Sequence, residues 1–232
     1  MTPPLLLLWD IDGTLLQRAS VEHADAMRRA LVDVHGALEL DGHHVEAAGR
    51  TDGAIARDLL LAAGLASDAI DARADDLVTA ACALYDELCP ADLSARVAPG
   101  VADVLPRLAA RPDDFRFSLV TGNFERIARL KLDRAGLGRF FEAGQGGFAS
   151  DHASRAELPR IARERAGGWP RERTVVIGDT PRDIACARAD GLRVIAVATG
   201  PFPVEALADA DAVADSAEAI VPVLEDWATA ER

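Results

Sequence analysis

Four short apolar runs, each stopping abruptly at acidic, small or hydroxyl residues, constrain this chain more than any other feature. Residues 5–9 stop at Asp10, 115–120 at Thr121-Gly122, 174–177 at Gly178-Asp179, and 192–198 at Thr199-Gly200. A wholly apolar run of that length suits a strand buried on both faces, as in the middle of a parallel sheet. Helical patterns lie between the runs, over 124–135, 156–166 and 183–190. Each is followed by a glycine (Gly136, Gly167, Gly191), the residue that best tolerates the left-handed turn past a helix. Strands alternating with helices predict an α/β fold built on a doubly wound, mostly parallel sheet.

The alternation fails over 17–97, where every pattern is helical. Ser20 can cap a helix whose Ala24, Met27, Leu31 and Val34 share a face and which ends at Gly36. Thr51 can cap a second helix carrying Ile55 and Leu59 and ending near Gly64, and a third is expected over 69–89, stopping at Pro90. A crossover is normally far shorter, so 17–97 reads as an inserted helical domain. The discontinuous core is then 1–16 and 98–232, re-entered at Ala98-Pro99-Gly100.

Charge narrows the partners. The 232 residues carry 38 acidic and 25 basic side chains, a formal net charge of −13, which repels the phosphate backbone of nucleic acids. The apolar run at 5–9 is shorter than the ~7–15 residues of a signal-peptide core, and no stretch approaches the ~20 residues of a membrane span. Cys82, Cys89 and Cys186 lack ligand spacing, and the first two, seven apart, read as buried packing. A cytoplasmic protein is expected. His43-His44 lacks the spacing of a metal site, and Trp9, Trp169 and Trp227 read as packing. Among the 25 basic residues only Lys131 is a lysine.

The informative segment is Asp10-Ile11-Asp12-Gly13-Thr14. Two carboxylates two residues apart point the same way from an extended backbone, at a strand end where ligands of open α/β sheets sit. Their repulsion calls for a cation, and hard oxygen ligands suit Mg²⁺. Gly178-Asp179-Thr180-Pro181-Arg182-Asp183 brings a second pair to the same sheet edge, so four carboxylates are expected to gather there; Asp183 can also be the N-cap of its helix. Thr121-Gly122-Asn123, ahead of another helix, offers a hydroxyl and free backbone N–H groups to an anion.

Together these motifs resemble the haloacid dehalogenase-like hydrolase superfamily, and the helical insert resembles the cap of its phosphoglycolate phosphatase-like branch. The resemblance implies a small-molecule phosphomonoester as substrate, with Asp10 as nucleophile forming an aspartyl-phosphate and Asp12 as general acid and base. It implies Mg²⁺ held by Asp10, the backbone carbonyl of Asp12 and Asp179, with Asp183 supporting it. Thr121, Gly122 and Asn123 would hold phosphoryl oxygens. Many relatives carry a lysine before the last acidic motif; Arg155 falls at that place and offers a bidentate fork. Lys131 is the rival, expected to point away on the helix leaving the site. Arg50, in Gly49-Arg50-Thr51, resembles a cap loop that faces the substrate.

Alternatives remain at this level. A sugar phosphomutase shares the Asp10 and Asp12 chemistry, and a receiver-type phosphoacceptor domain also combines acidic strand ends with a Thr and a Lys. Asp12 argues against carbon–halogen cleavage, which needs no proton for its leaving group. An insert without lysine closes the Schiff-base route of phosphonatase relatives. The sequence does not specify an oligomeric state.

Overall fold

The computed structural model describes residues 2–36, 40, 43 and 45–230. Five strands form one parallel sheet in the order β2-β1-β3-β4-β5: β1 Leu5–Trp9, β2 Phe115–Leu119, β3 Thr174–Gly178, β4 Arg193–Val197 and β5 Ala212–Ala214. Leu7 lies opposite Phe117 on one side and Val175 on the other. The order of assembly reverses about β1, so the switch point of the sheet lies between β1 and β3, where ligands bind in such folds. The leucines of β1 alternate between two cores: Leu5 and Leu7 face one layer, Leu6 and Leu8 the other. This is why the strand reads as an unbroken apolar run.

Nine α-helices are present among the described residues: α1 Val21–His35, α2 Asp52–Ala62, α3 Ser67–Asp71, α4 Ala74–Leu88, α5 Val101–Ala109, α6 Glu125–Arg134, α7 Leu158–Arg165, α8 Pro181–Ala189 and α9 Ala217–Thr229. The first four occupy the segment read as wholly helical. Its entry and exit run side by side: Leu16 bridges Val97, Gln17 N donates to the Arg96 carbonyl and Ala98 N to that of Leu15. Among the described residues no helix is long and apolar enough to cross a membrane.

Several local expectations need correction. The helix anticipated over 69–89 is two, broken at Ala72-Arg73 so that Arg73 can donate to the Val34 carbonyl of α1. Ser20 flanks α1 without a side-chain cap, because its backbone is already helical. Ala24 is exposed rather than buried with Met27, Leu31 and Val34. Thr51 does cap α2, its hydroxyl accepting from Ala54 N at 3.3 Å. All three cysteines are buried and free. His44 lies outside the described residues.

Candidate active site

The carboxyl ends of β1 to β4 deliver the side chains singled out above to one edge. Asp10 follows β1, with its backbone N–H donating to the Ile177 carbonyl of β3 at 2.9 Å, and Asp179 follows β3. Asp10, Asp179 and Asp183 are buried and offer carboxylate oxygens within 4.8 Å of one another. Gly13 turns the chain away at φ 90°, and a side chain at either Gly13 or Gly200 would overlap the Asp179 carboxylate. Glycine at both places is therefore a packing requirement of that carboxylate.

Asp12 does not join the cluster. The strand ends at Trp9, and beyond it the Asp12 carboxylate is taken up by partners other than that group. The Asp12 carboxylate accepts from Lys131 Nζ at 2.8 and 2.6 Å and from Asn123 Nδ2 at 2.9 Å. Lys131 thus reaches into the site, contrary to the expectation that it points away. It lies on the buried face of α6 with Ile127, Ala128 and Leu132. Burial raises the Asp12 carboxyl, but the Lys131 ammonium, with the hydrogen bonds from Lys131 and Asn123, more than cancels this and holds it below the usual range.

Lys131 has three donors and no acceptor, so His23 Nδ1, 3.2 Å away, must accept from it. The ring proton is then on Nε2, which donates to Asp52 Oδ2 at 3.1 Å. The same Asp52 oxygen accepts from Phe124 N at 2.7 Å, at the start of α6. Sequence reasoning missed both His23 and Asp52; the available signal was a histidine on the apolar stripe of α1 and an acid in the first turn of α2.

Arg155 occupies the expected cationic place. Its guanidinium lies 3.1 Å from Asp10 and 2.5 Å from Asp183, and it is almost fully buried. Asp183 serves two functions, though not as the N-cap: it is the third residue of α8, in a capping box where its Oδ2 accepts from Thr180 N at 3.0 Å. Thr121 is fully buried, with its hydroxyl accepting from Asn123 N at 3.4 Å, while Gly122 and Asn123 face the open space.

Without a cation the three buried carboxylates cannot all ionise comfortably. Burial, with repulsion from Asp183 and Asp12 against the attraction of Arg155, raises Asp10 to about 6. Burial, Asp10 and Asp183 raise Asp179 to about 8, opposed by the Thr14 hydroxyl 3.0 Å away. Asp179 Oδ2 is buried with no hydrogen-bond partner. An all-oxygen donor set with an orphaned carboxylate oxygen fits a hard divalent cation such as Mg²⁺.

A cavity of about 620 Å³ opens from this cluster towards α1 and α2. The segment preceding α2 closes one side: Asp52 N donates to the Gly122 carbonyl at 2.7 Å and Thr51 Oγ1 to that of Ala153 at 2.6 Å. Arg50 lines the cavity, but its guanidinium donates to Asp58 at 2.6 Å and to the Ala54 carbonyl. His43 is also part of the wall.

Comparison with known proteins agrees with this arrangement. The phosphoglycolate phosphatase of Synechococcus elongatus is 33% identical over 102 residues, covering 44% of this chain and 46% of that protein. The chain's match therefore spans under half the length of that relative. Phosphoglycolate phosphatase 1 of Pseudomonas aeruginosa is 28% identical over 199 residues, 85% of this chain and 70% of that one. A Clostridium acetobutylicum structure described as a predicted phosphatase superposes with TM-score 0.67 at 18% identity, covering 97% of this chain and all of that one, which bears on the fold alone. A HAD-hydrolase-like model covers 151–227. A family model described as haloacid dehalogenase-like hydrolase matches residues 7–188, a span that contains the motifs of the acidic sheet edge, and the chain belongs to the haloacid dehalogenase-like hydrolase family.

Proposed function

We propose that the chain is a Mg²⁺-dependent phosphatase of small phosphomonoesters, with 17–97 as a helical cap over a core of 1–16 and 98–232. The observation that carries this reading is the buried cluster of Asp10, Asp179 and Asp183 with Arg155 between two of them, beside a cavity of about 620 Å³. Asp10 attacks phosphorus; an oxygen–phosphorus bond forms as the bond to the substrate alcohol breaks. Asp12 gives the departing alkoxide its proton. Water then attacks the aspartyl-phosphate, returns a proton to Asp12 and releases inorganic phosphate, regenerating Asp10.

Asp10, Asp179 and the backbone carbonyl of Asp12 would hold Mg²⁺, with Asp183 supporting it; when bound, the ion offsets the phosphate's charge against the carboxylates. Arg155 orients Asp10 and offers positive charge to the phosphoryl oxygens, Gly122 and Asn123 line their approach, and Thr121 lies buried behind them. Lys131 and Asn123 fix the direction of Asp12 and favour its ionised form, the one that takes a proton from water.

The test is phosphate release from a panel of phosphomonoesters with Mg²⁺, using Asp10→Asn as the blank. Repeated release by the wild type, lost by at least about 1000-fold in the variant, supports the reading. Interconversion of sugar phosphate isomers instead would make it a mutase. Stable phosphorylation without turnover would make it a phosphoacceptor, and equal inactivity of both proteins overturns the enzyme altogether.

A further inference from the structure

Resting on that reading, we infer that the alcohol released from the substrate is apolar, larger than a two-carbon acid, and held between α1 and α2. Away from Asp10 the cavity wall is shared by apolar side chains of α1 and α2. Ala24, Met27 and Leu31 come from successive turns of α1, and Ile55, Ala56 and Leu59 from one face of α2. At about 620 Å³ it holds roughly twenty waters at ~30 Å³ each, the size range of clefts that enclose drug-sized ligands. A glycolate group would leave most of that volume wetting aliphatic side chains.

Charge placement points the same way. A short substrate ending in a carboxylate needs a cation within a few ångströms of the phosphate. Arg155 is held by Asp10 and Asp183, and Arg50 is held by Asp58. The other arginines lining the cavity, Arg18 and Arg28, are exposed. A substrate that covers the apolar wall with hydrocarbon gains from burial along its whole length. Hydrolysis consumes one water, breaks the oxygen–phosphorus bond, and releases the apolar alcohol and inorganic phosphate.

The experiment compares n-alkyl phosphates from methyl to hexyl with phosphoglycolate, reading phosphate release with Mg²⁺, and measures binding of the matching alkylphosphonates by calorimetry. Expected is a rise in kcat/KM of about two- to fourfold per methylene, hexyl phosphate surpassing phosphoglycolate, and a parallel fall in the phosphonate Kd. In Ile55→Asn, which places an amide in the apolar wall, the rise per methylene should flatten. If that variant does not fold, the wild-type phosphonate series still decides. A flat or falling dependence on chain length, or phosphoglycolate preferred over every alkyl ester, overturns the inference while leaving the phosphatase intact. No release from any ester refutes the phosphatase reading, and the phosphonate series then judges the apolar site alone.

Discussion

Lys131 Nζ lies 2.8 and 2.6 Å from the two carboxylate oxygens of Asp12 and is fully buried. Replacing it by methionine keeps the length and removes the charge. Lys131→Met should cost about 3 kcal/mol of stability, because Asp12 loses its cation. Burial, which raises the Asp12 carboxyl, would then act with less opposition. The acid-side limb of the kcat–pH profile should therefore move to higher pH. A limb that stays in place would remove Lys131 from the chemistry.

Arg155 joins Asp10 to Asp183 through a single guanidinium. Arg155→Ala should lower kcat/KM by about 100-fold or more, and Arg155→Lys should recover part of it, supplying charge without the planar fork. Steady-state phosphate release with folding checked by circular dichroism decides this. Near-normal turnover in Arg155→Ala would refute the assignment.

The carboxylate cluster ties stability to pH and to metal. Asp10 and Asp179 are raised in the folded protein to about 6 and about 8, well above the ordinary 3.8 of an aspartate. Across that window the folded state binds more protons than the unfolded state, so stability falls as pH rises. Without divalent ions, Tm should be several degrees lower at pH 8.5 than at pH 6. Mg²⁺ should raise Tm more at pH 8.5, where the carboxylates are free to bind it. Identical Tm shifts at both pH values would contradict this.

Gly200 matters through its neighbour. A methyl group there would overlap Asp179 Oδ2, and Asp179 cannot yield freely because Thr14 holds its other oxygen. Gly200→Ala should raise the Mg²⁺ concentration for half-maximal activity by about 10-fold or more. A magnesium titration of turnover checks it, and an unchanged midpoint would show that Asp179 is not confined.

Much of the sheet was legible because β1 to β4 are buried on both faces and end at residues that no strand continues through. β5 was not: it is three residues long, and its central Val213 is exposed, so it carries no apolar run. The break between α3 and α4 was hidden because a helical pattern does not show where a tertiary partner, here the Val34 carbonyl, is worth more than one more turn.

In the site, Asp10, Asp179 and Asp183 could be read together because each follows a strand or opens a helix at a known edge. The direction of Asp12 could not, since it depends on a turn and on a lysine that lies beneath it in space. Helical spacing held the clue: Lys131 is four residues after Ile127 and three after Ala128, on the same buried stripe. A lone cation there needs an acid, and Asp12 is the acid it finds.

The carbonyl oxygen of Arg50 fills the space that a side chain on Gly122 would need. Gly122 has no positive φ, so its own backbone would accept alanine; the demand for glycine comes from the segment of the helical insert just before α2. The size of one residue beside the phosphate site thus sets the clearance of the whole enclosure. A methyl group at 122 would act as a spacer, propping the segment before α2 off the sheet edge and letting bulk solvent into the cavity.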